Sequence, residues 1–283
     1  MSPRLVRLAL AEVAGLGALA GLWALWLHLT TDPLADVRAY YDAGVRLNDG
    51  LPLYPAYANP DVAEFYRYPP LLAIAFRPLA LLPFPAAAAF WEAVVVASLV
   101  ATVWWIGPRR RTTWLALGML GLPIAWAVAI GQAQVPVTFL TALAAPWSIA
   151  LAANVKLFPA LVALWWIGRR EWRPLGLFLA YTAGLVLLQL ALEPQATVDF
   201  LGTLTLQQVG EVRNLSPYAI SPLLWAALVV VGVLLALRLA PRRWGWAAAV
   251  ALSVLATPRL LVYMLMTLLA ALGRDERRDA RAE

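Results

Sequence analysis

The chain has 283 residues, of which 63% are hydrophobic and only 13% are charged. Because soluble globular domains carry roughly a quarter charged residues, this composition excludes a soluble globular protein and indicates a polytopic membrane protein. With no cysteine and one histidine, the sequence offers no disulfide framework, no thiolate nucleophile and no dedicated transition-metal site. We expect no cofactor, although a carboxylate-bound divalent cation stays open.

The net charge of +6 is explained better by membrane topology than by nucleic-acid binding. The arginines stand in short clusters between apolar runs, whereas a nucleic-acid-binding surface needs them along one face. Cytoplasmic loops of membrane proteins are enriched in Lys and Arg. We therefore predict no nucleic-acid partner and assign the arginine clusters to the cytoplasmic side. The clusters are Arg4 with Arg7, Arg109 to Arg111, Arg169 and Arg170 with Arg173, Arg242 with Arg243, and the arginines of the tail from Arg274.

Apolar runs recur along the whole chain and are long enough to cross about 30 Å of hydrocarbon. They predict an all-α, multi-pass membrane domain over residues 1–273, a helical bundle of about eight to ten membrane helices, with a charged cytoplasmic tail over 274–283. The run 69–83 is short, and it either crosses the membrane, is re-entrant or lies flat. The runs are 5–30, 69–83, 84–107, 112–130, 133–146, 147–168, 174–192, 218–240 and 245–273.

The acidic segment after the first run, residues 31–70, is predicted to form an active-site loop outside the cytoplasm. A carboxylate where a membrane helix ends can reach a membrane-bound substrate and stay near water, as a general base requires. Asp36 is therefore the catalytic candidate, with a helix cap or a solvated loop acid as the alternative. Asp42, a candidate substrate-binding residue, points elsewhere if the segment is helical and ranks second. Tyr54 and Tyr68 are candidates for stacking on sugar rings, although tyrosines also gather at membrane interfaces.

Two apolar runs are interrupted by a proline beside a cation. Lys156, the only lysine of the chain, lies in the run 147–168, and Arg259 lies in the run 245–273. Each run is predicted either as two half-helices that meet at a break or as one kinked crossing. A cation inside the membrane zone costs at least ~2.5 kcal/mol and normally faces a cavity or a partner. Both side chains are therefore candidates for binding a lipid phosphate, the alternative being a side chain that reaches out to the headgroups.

Gln132 and Gln134 stand at another helix break, where polar side chains need partners such as a substrate hydroxyl. His28, the sole histidine, ends the first run and is interpreted as an interfacial residue rather than a ligand. The sequence contains no Walker motif, no GxSxG motif and no metalloprotease motif. Nucleotide-driven transport and serine or zinc hydrolysis therefore lack support.

The order of several short motifs resembles glycosyltransferase family 87, which belongs to the GT-C superfamily of integral membrane glycosyltransferases. The resemblance covers about residues 30–265, and its specificity lies in the order of the motifs rather than in any one of them. The motifs are Asp36–Gly44, Gly50–Tyr54, Tyr68–Leu71, Arg77–Leu79, Gly131–Gln132, Lys156 with Pro159, and Thr257–Arg259 with Tyr263.

This resemblance implies a GT-C-like enzyme of the cell membrane that transfers a hexose, with mannose as the expected sugar, with inversion. The implied donor is a polyprenyl-phosphate sugar, and the acceptor is a lipid- or glycan-linked group at the extracytoplasmic face, so that both substrates and membrane lipids are its partners. Asp36 is then the catalytic base, and Lys156 and Arg259 neutralise the leaving phosphate. Tyr263 is carried over as a substrate-binding residue.

Two other functions stay open at this point. A transporter or flippase of an anionic lipid would use the same broken helices and cations, and it predicts inverted repeats and a dispensable Asp36. A catalytically inactive accessory subunit is suggested by the short length of the chain, and it predicts that mutating Asp36 changes nothing.

Overall fold

A computed structural model describes residues 3–55, 61, 66–204 and 212–274. Within these residues the regular structure is helical, with no strand. The α-helices are α1 Pro3–Thr31, α2 Ala35–Asn48, α3 Pro70–Phe76, α4 Phe84–Ile106, α5 Arg111–Met119, α6 Gly121–Ala129, α7 Gln134–Leu143, α8 Pro146–Val155, α9 Leu164–Arg169, α10 Trp172–Leu192, α11 Pro194–Thr203, α12 Pro222–Leu239 and α13 Gly245–Leu255. The 3-10 segments are Leu79–Leu81, Phe158–Ala163, Pro217–Ala219 and Val262–Leu272. The predicted tail, apart from Arg274, lies outside the described residues.

Four of the described helices, α1, α4, α10 and α12, are long and apolar enough to cross a membrane. Helices α5 and α6 make a fifth candidate if the pair, which bends by 66°, is one span. The predicted all-α, multi-pass membrane fold is confirmed. The remaining apolar runs form shorter helices, so that the figure of eight to ten crossings stays a prediction.

The acidic segment 31–70 is not simply a loop, because its first half forms α2. The run 69–83 forms α3 and the separate 3-10 segment Leu79–Leu81, and the seven residues of α3 give a length of roughly 10 Å. That length is too short to cross the hydrocarbon and agrees with the two non-crossing alternatives for this run. Pro70 stands in the first turn of α3, where its missing N–H costs no hydrogen bond.

Both runs with a proline beside a cation are broken helices. Helix α8 ends at Val155, and Lys156 has an extended backbone with φ −142° and ψ 128°. In the second run, Trp246 near the start of α13 donates a hydrogen bond from Nε1 to the carbonyl oxygen of Ala270, at 2.8 Å. Since Ala270 lies near the end of the 3-10 segment Val262–Leu272, this segment runs back along α13. The run 245–273 is therefore a helical hairpin rather than one kinked crossing.

Helix α1 packs against α5 and α6 through glycines. A Cβ atom built on Gly17 would lie 2.3 Å from the carbonyl oxygen of Gly118, and one on Gly21 would lie 2.6 Å from the carbonyl carbon of Gly121. The spacing of Gly17 and Gly21 is that of the GxxxG motif, in which small residues let helix backbones touch. This contact fixes the end of α1, and hence the start of α2, beside α6.

Helix α2 is docked on the break between α6 and α7. The backbone N–H of Asp36 donates to the carbonyl oxygen of Ile130 at 3.1 Å, and that of Leu34 donates to Ala129 at 3.2 Å. Gly131 has φ +67°, and a Cβ atom built on it would lie 2.0 Å from Cγ2 of Val37. Only glycine combines this backbone conformation with so close an approach.

The start of α3 is tied to two other helices by one buried amide. Gln189 of α10 accepts a hydrogen bond from the backbone N–H of Leu71 at 3.0 Å, and it donates to Oδ1 of Asn154 at 2.8 Å. Asn154 lies two residues before Lys156. The amide therefore fixes the start of α3 relative to the break after α8.

We predict that Gly17→Ala lowers the free energy of unfolding in detergent by about 1–3 kcal/mol, because the added methyl group overpacks the contact with α5. Gly15→Ala is the matched control, because nothing lies within 4 Å of a Cβ atom at that position. It should leave the stability unchanged or raise it by up to about 1 kcal/mol through helix propensity. Thermal unfolding of both variants provides the measurement, and equal stabilities would argue against the glycine contact.

Candidate active site

A cavity of about 740 Å³ lies where α2, α6, the break after α8, α11 and the turn after α13 meet. Among the described residues, its wall contains four cations and three carboxylates, together with aromatic and aliphatic side chains. This volume is in the range of small-molecule sites. The charged side chains of the wall are Asp32, Asp36, Asp61, Arg67, Lys156, Arg213 and Arg259.

Asp36 stands in the first turn of α2, at the wall of the cavity. Burial raises the pKa of its carboxyl group to about 6, an effect that the positive charge of Lys156 partly offsets and the negative charge of Asp32 reinforces. A carboxylate with a pKa near 6 is a stronger base than an exposed aspartate. Asp36 is thus equipped to accept a proton at neutral pH.

Gln132 fixes the direction of the Asp36 carboxylate. Its Nε2 donates to Oδ2 of Asp36 at 2.6 Å, while its Oε1 accepts from the hydroxyl groups of Tyr40 at 2.7 Å and Tyr68 at 3.1 Å. Because an ionised carboxylate only accepts hydrogen bonds, the NH₂ group must face Asp36, and the two hydroxyl groups then donate to the amide oxygen. Gln132 is completely buried, so it orients the carboxylate from behind and does not line the cavity.

Lys156 lies at the break after α8 and is part of the cavity wall. Its ammonium group lies near two aromatic rings. Nζ is 5.0 Å from the ring centroid of Tyr68 and 5.2 Å from that of Tyr263, within the range of a cation–π interaction. It donates a hydrogen bond to Oε1 of Gln134 at 2.8 Å. This partner is neutral, so the hydrogen bond leaves the positive charge of Lys156 uncancelled.

A second cationic group forms around Arg259, directly after the end of α13. Arg259 makes an ion pair with Asp61, and the side chain of Asn214 holds this turn through bonds to the carbonyl oxygen of Pro258 and the N–H of Leu260. Burial lowers the pKa of Arg67 to about 10, and repulsion by Arg259 adds to the effect. Arg67 therefore stays protonated at neutral pH and lies close to Arg259.

The structure brings five of the predicted site residues to the cavity. Two of the others act from behind or beside it: Gln132 orients Asp36, and the hydroxyl group of Tyr54 donates to the carbonyl oxygen of Tyr68 at 2.8 Å. The five in the wall are Asp36, Tyr68, Lys156, Arg259 and Tyr263.

Asp42 is not part of the cavity wall, and its side chain is exposed. It is six residues from Asp36 on α2, and at 100° per residue it points to a different face of the helix. This is the outcome expected for a helical segment, and it takes Asp42 out of the candidate site.

Sequence reasoning missed Arg67, and it named Gln134 only as a polar group at a helix break, not as the partner of Lys156. Arg67 counted only as one charge of the acidic segment, and its neighbour Tyr68 was the one signal that could have found it. Gln134 follows Gln132 at the same break. The charged group that its side chain contacts depends on how α7 packs against α8.

Among the described residues, no group of three or more His, Cys, Asp or Glu side chains is arranged to hold a metal ion.

Comparisons with known proteins agree with the motifs. The model of glycosyltransferase family 87 matches residues 65–272. A polyprenol-phosphate-mannose-dependent alpha-(1-2)-phosphatidylinositol pentamannoside mannosyltransferase of Mycolicibacterium smegmatis is 31% identical over 194 residues, which are 60% of this chain and 46% of that protein. A protein of the same description from Mycobacterium tuberculosis is 29% identical over 173 residues, 52% of this chain and 39% of that protein. The matched part thus covers less than half the length of these curated relatives, and no solved structure matches the chain.

Proposed function

The chain belongs to glycosyltransferase family 87, and on that basis we propose that it is an inverting mannosyltransferase of the cell membrane. Its donor is polyprenyl-phosphate mannose, and its acceptor is a lipid- or glycan-linked sugar at the extracytoplasmic face. The observation that carries the proposal is the presence of a half-buried base, Asp36, and the cation Lys156 in the wall of one cavity.

The cations of the cavity support the binding of a donor phosphate. Lys156 has a neutral hydrogen-bond partner, and Arg67 and Arg259 lie near each other in the same wall. Negative charge grows on the phosphate as the glycosidic bond breaks, and cations held in place at that point stabilise the transition state. A lipid phosphate donor also fits a chain that has no nucleotide-binding motif.

Asp36 then acts as the general base. Its carboxylate takes the proton of the acceptor hydroxyl while the oxygen of that hydroxyl forms a bond to the anomeric carbon. The bond from this carbon to the phosphate oxygen breaks on the opposite face, and polyprenyl phosphate leaves with the electron pair. A single displacement of this kind inverts the anomeric centre.

The arginine clusters support an extracytoplasmic site. Arginines flank the first residues of α1 and α10 and follow the last residues of α4 and α12, so the positive-inside rule assigns these four ends to the cytoplasm. The cavity wall contains Asp32 just after the other end of α1, and Trp225 near the other end of α12. This arrangement supports a cavity on the outer side.

The names of the relatives suggest the class of acceptor. They describe transfer to a phosphatidylinositol pentamannoside, which is a lipid carrying mannose residues. For this chain we propose an acceptor of the same chemical class, a sugar attached to a membrane lipid.

We predict that Asp36→Asn lowers the rate of mannose transfer by at least about 10²-fold, because the amide keeps the size of the side chain but removes the base. The measurement is transfer from radiolabelled polyprenyl-phosphate mannose to mannolipid acceptors in proteoliposomes. Asp49→Asn is the matched control, because Asp49 is an exposed carboxylate at the end of α2, and its rate should equal that of the wild type.

Two results of this experiment would contradict the proposal. Equal transfer by wild type and Asp36→Asn would mean that Asp36 is not the base. Movement of labelled donor across the bilayer by both proteins, without transfer, would identify a transporter.

The transfer rate should fall as the pH is lowered through about 6, because the base is active only when its carboxyl group is deprotonated and burial raises the pKa of Asp36 to about 6. The charge of Lys156 lowers this pKa and that of Asp32 raises it. Lys156→Met should therefore move the acidic limb of the profile to higher pH, and Asp32→Asn should move it to lower pH. A profile from pH 5 to 8 for each protein tests both signs, and shifts in the same direction would contradict the assignment.

We predict that Lys156→Met and Arg259→Met weaken the binding of polyprenyl phosphate by roughly tenfold or more, as expected for the loss of a charge-assisted hydrogen bond. Arg109→Met is the control, because it removes an exposed cation that is not in the cavity wall. Equilibrium binding of radiolabelled polyprenyl phosphate provides the measurement. If Lys156→Met binds this lipid as tightly as the control does, the phosphate assignment is wrong.

A further inference from the structure

The sole histidine of the chain is connected to the cavity through Asp32. Nδ1 of His28 lies 2.7 Å from Oδ1 of Asp32. Because a carboxylate only accepts hydrogen bonds, Nδ1 must carry a proton and donate it. The hydroxyl group of Thr31 donates to the same oxygen at 2.7 Å. One oxygen of the Asp32 carboxylate therefore has two donors and a fixed position.

The imidazole ring is itself held in place by Trp126. The two rings are stacked, with centroids 4.4 Å apart and an interplanar angle of 26°, and His28 is only 5% exposed. Trp126 belongs to α6 and also lines the cavity. The stack fixes the imidazole, and the imidazole in turn fixes the carboxylate.

The other carboxylate oxygen of Asp32, Oδ2, accepts no hydrogen bond from the described residues. The side chain is 40% exposed, and the residue lines the cavity. Ala35 and Ala39 lie in the same stretch of wall, and their small side chains leave room beside the carboxylates of Asp32 and Asp36. A ligand in the cavity can thus reach Oδ2.

We propose that Asp32 is a sugar-binding residue that accepts a hydrogen bond from a ring hydroxyl, and that His28 and Trp126 are positioning residues that hold its carboxylate for this contact. The inference rests on the proposed function for the identity of the sugar, which is either the acceptor sugar or the hexose that is transferred. It assigns a second carboxylate, next to the base, to recognition rather than to proton transfer.

The chemistry of the group favours a hydroxyl over the other ligands of such a cavity. A phosphate is repelled by a carboxylate, and its charge is matched by the cations Lys156, Arg67 and Arg259 in the same wall. Among the described residues, no three His, Cys, Asp or Glu side chains are arranged to hold a metal ion at this place. A neutral hydroxyl group needs only one oriented acceptor, and a site built to bind a hydroxyl strongly rejects a ligand without one.

The test measures the binding of three ligands, each added alone. The pH is 8, which is above the pKa of Asp36. The ligands are polyprenyl phosphate, which has no sugar, polyprenyl-phosphate mannose, and methyl α-mannoside as a soluble mimic of an acceptor sugar. The proteins are wild type, Asp32→Asn, His28→Phe and the control Asp49→Asn. His28→Phe keeps a ring to stack on Trp126 but removes the hydrogen bond to Asp32.

Asp32→Asn should bind at least one sugar-bearing ligand about tenfold more weakly than wild type, and polyprenyl phosphate within twofold of it. A loss for polyprenyl-phosphate mannose assigns the contact to the transferred hexose, and a loss for methyl α-mannoside assigns it to the acceptor. His28→Phe should show a smaller loss for the same ligand. Thermal unfolding verifies that each variant is folded, and Asp32→Ser replaces Asp32→Asn if the latter is not.

Three results would overturn the inference: unchanged binding of both sugar-bearing ligands by Asp32→Asn, an equal loss for all three ligands, or no sugar-dependent binding by the wild type. Failure of the proposed function looks different. In that case the wild type transfers no mannose, while the sugar-bearing ligands still depend on Asp32.

Discussion

A carboxylate and an ammonium group in largely apolar surroundings have to be compensated, because each loses its hydration on burial. The protein meets this requirement with two neutral amides. Gln132 donates to Asp36, and Gln134 accepts from Lys156. These glutamines are two residues apart at the start of α7, so one short helix break serves both charges. The charges are therefore stabilised without being neutralised by a hydrogen-bonded counter-ion, which leaves both free to act on a substrate.

The break between α6 and α7 can hold these glutamines beside the two charges only if neighbouring helices come unusually close to it. At Gly131 the backbone has a positive φ, and any side chain would collide with Val37 of α2. On the other side of α6, Gly17 and Gly21 bring the backbone of α1 into contact with α5 and α6. Glycines thus fix the distance between α1, α2 and the break, and the positions of Asp32 and Asp36 follow from that distance.

The geometry divides the cavity into regions of different chemistry. Cations from the break after α8 and from the turn after α13 suit the phosphate of a lipid donor, whereas the start of α2 contributes carboxylates that suit hydroxyl groups. Broken helices are costly in a membrane unless their free backbone groups and charges face a cavity or find partners. Here both breaks that carry a cation open into one cavity, which supports a common role for Lys156 and Arg259.

Some of this organisation follows from local chemistry and could be predicted from the sequence. Composition determined the membrane class, a proline beside a cation determined the breaks at Lys156 and Arg259, and the order of motifs indicated the family. Other features depend on how distant segments pack. Asp36 and Gln132 are 96 residues apart in sequence, and the residue that orients a carboxylate from that distance has no local signature.

The same dependence on packing applies to residues whose surroundings the sequence did not predict. Asp42 and Asp36 are both acids of one short segment, and only the rotation of α2 decided that Asp36 faces the cavity and Asp42 faces away. Arg67 and His28 had no pattern of their own, and the groups beside them come from distant segments: Arg67 lies close to Arg259, and His28 stacks on Trp126. The sequence by itself determined the membrane class and which cations lie at breaks inside apolar runs, because both follow from residue type and local hydropathy. Only the tertiary structure decided which charges meet, because their encounter depends on helix rotation and close glycine contacts.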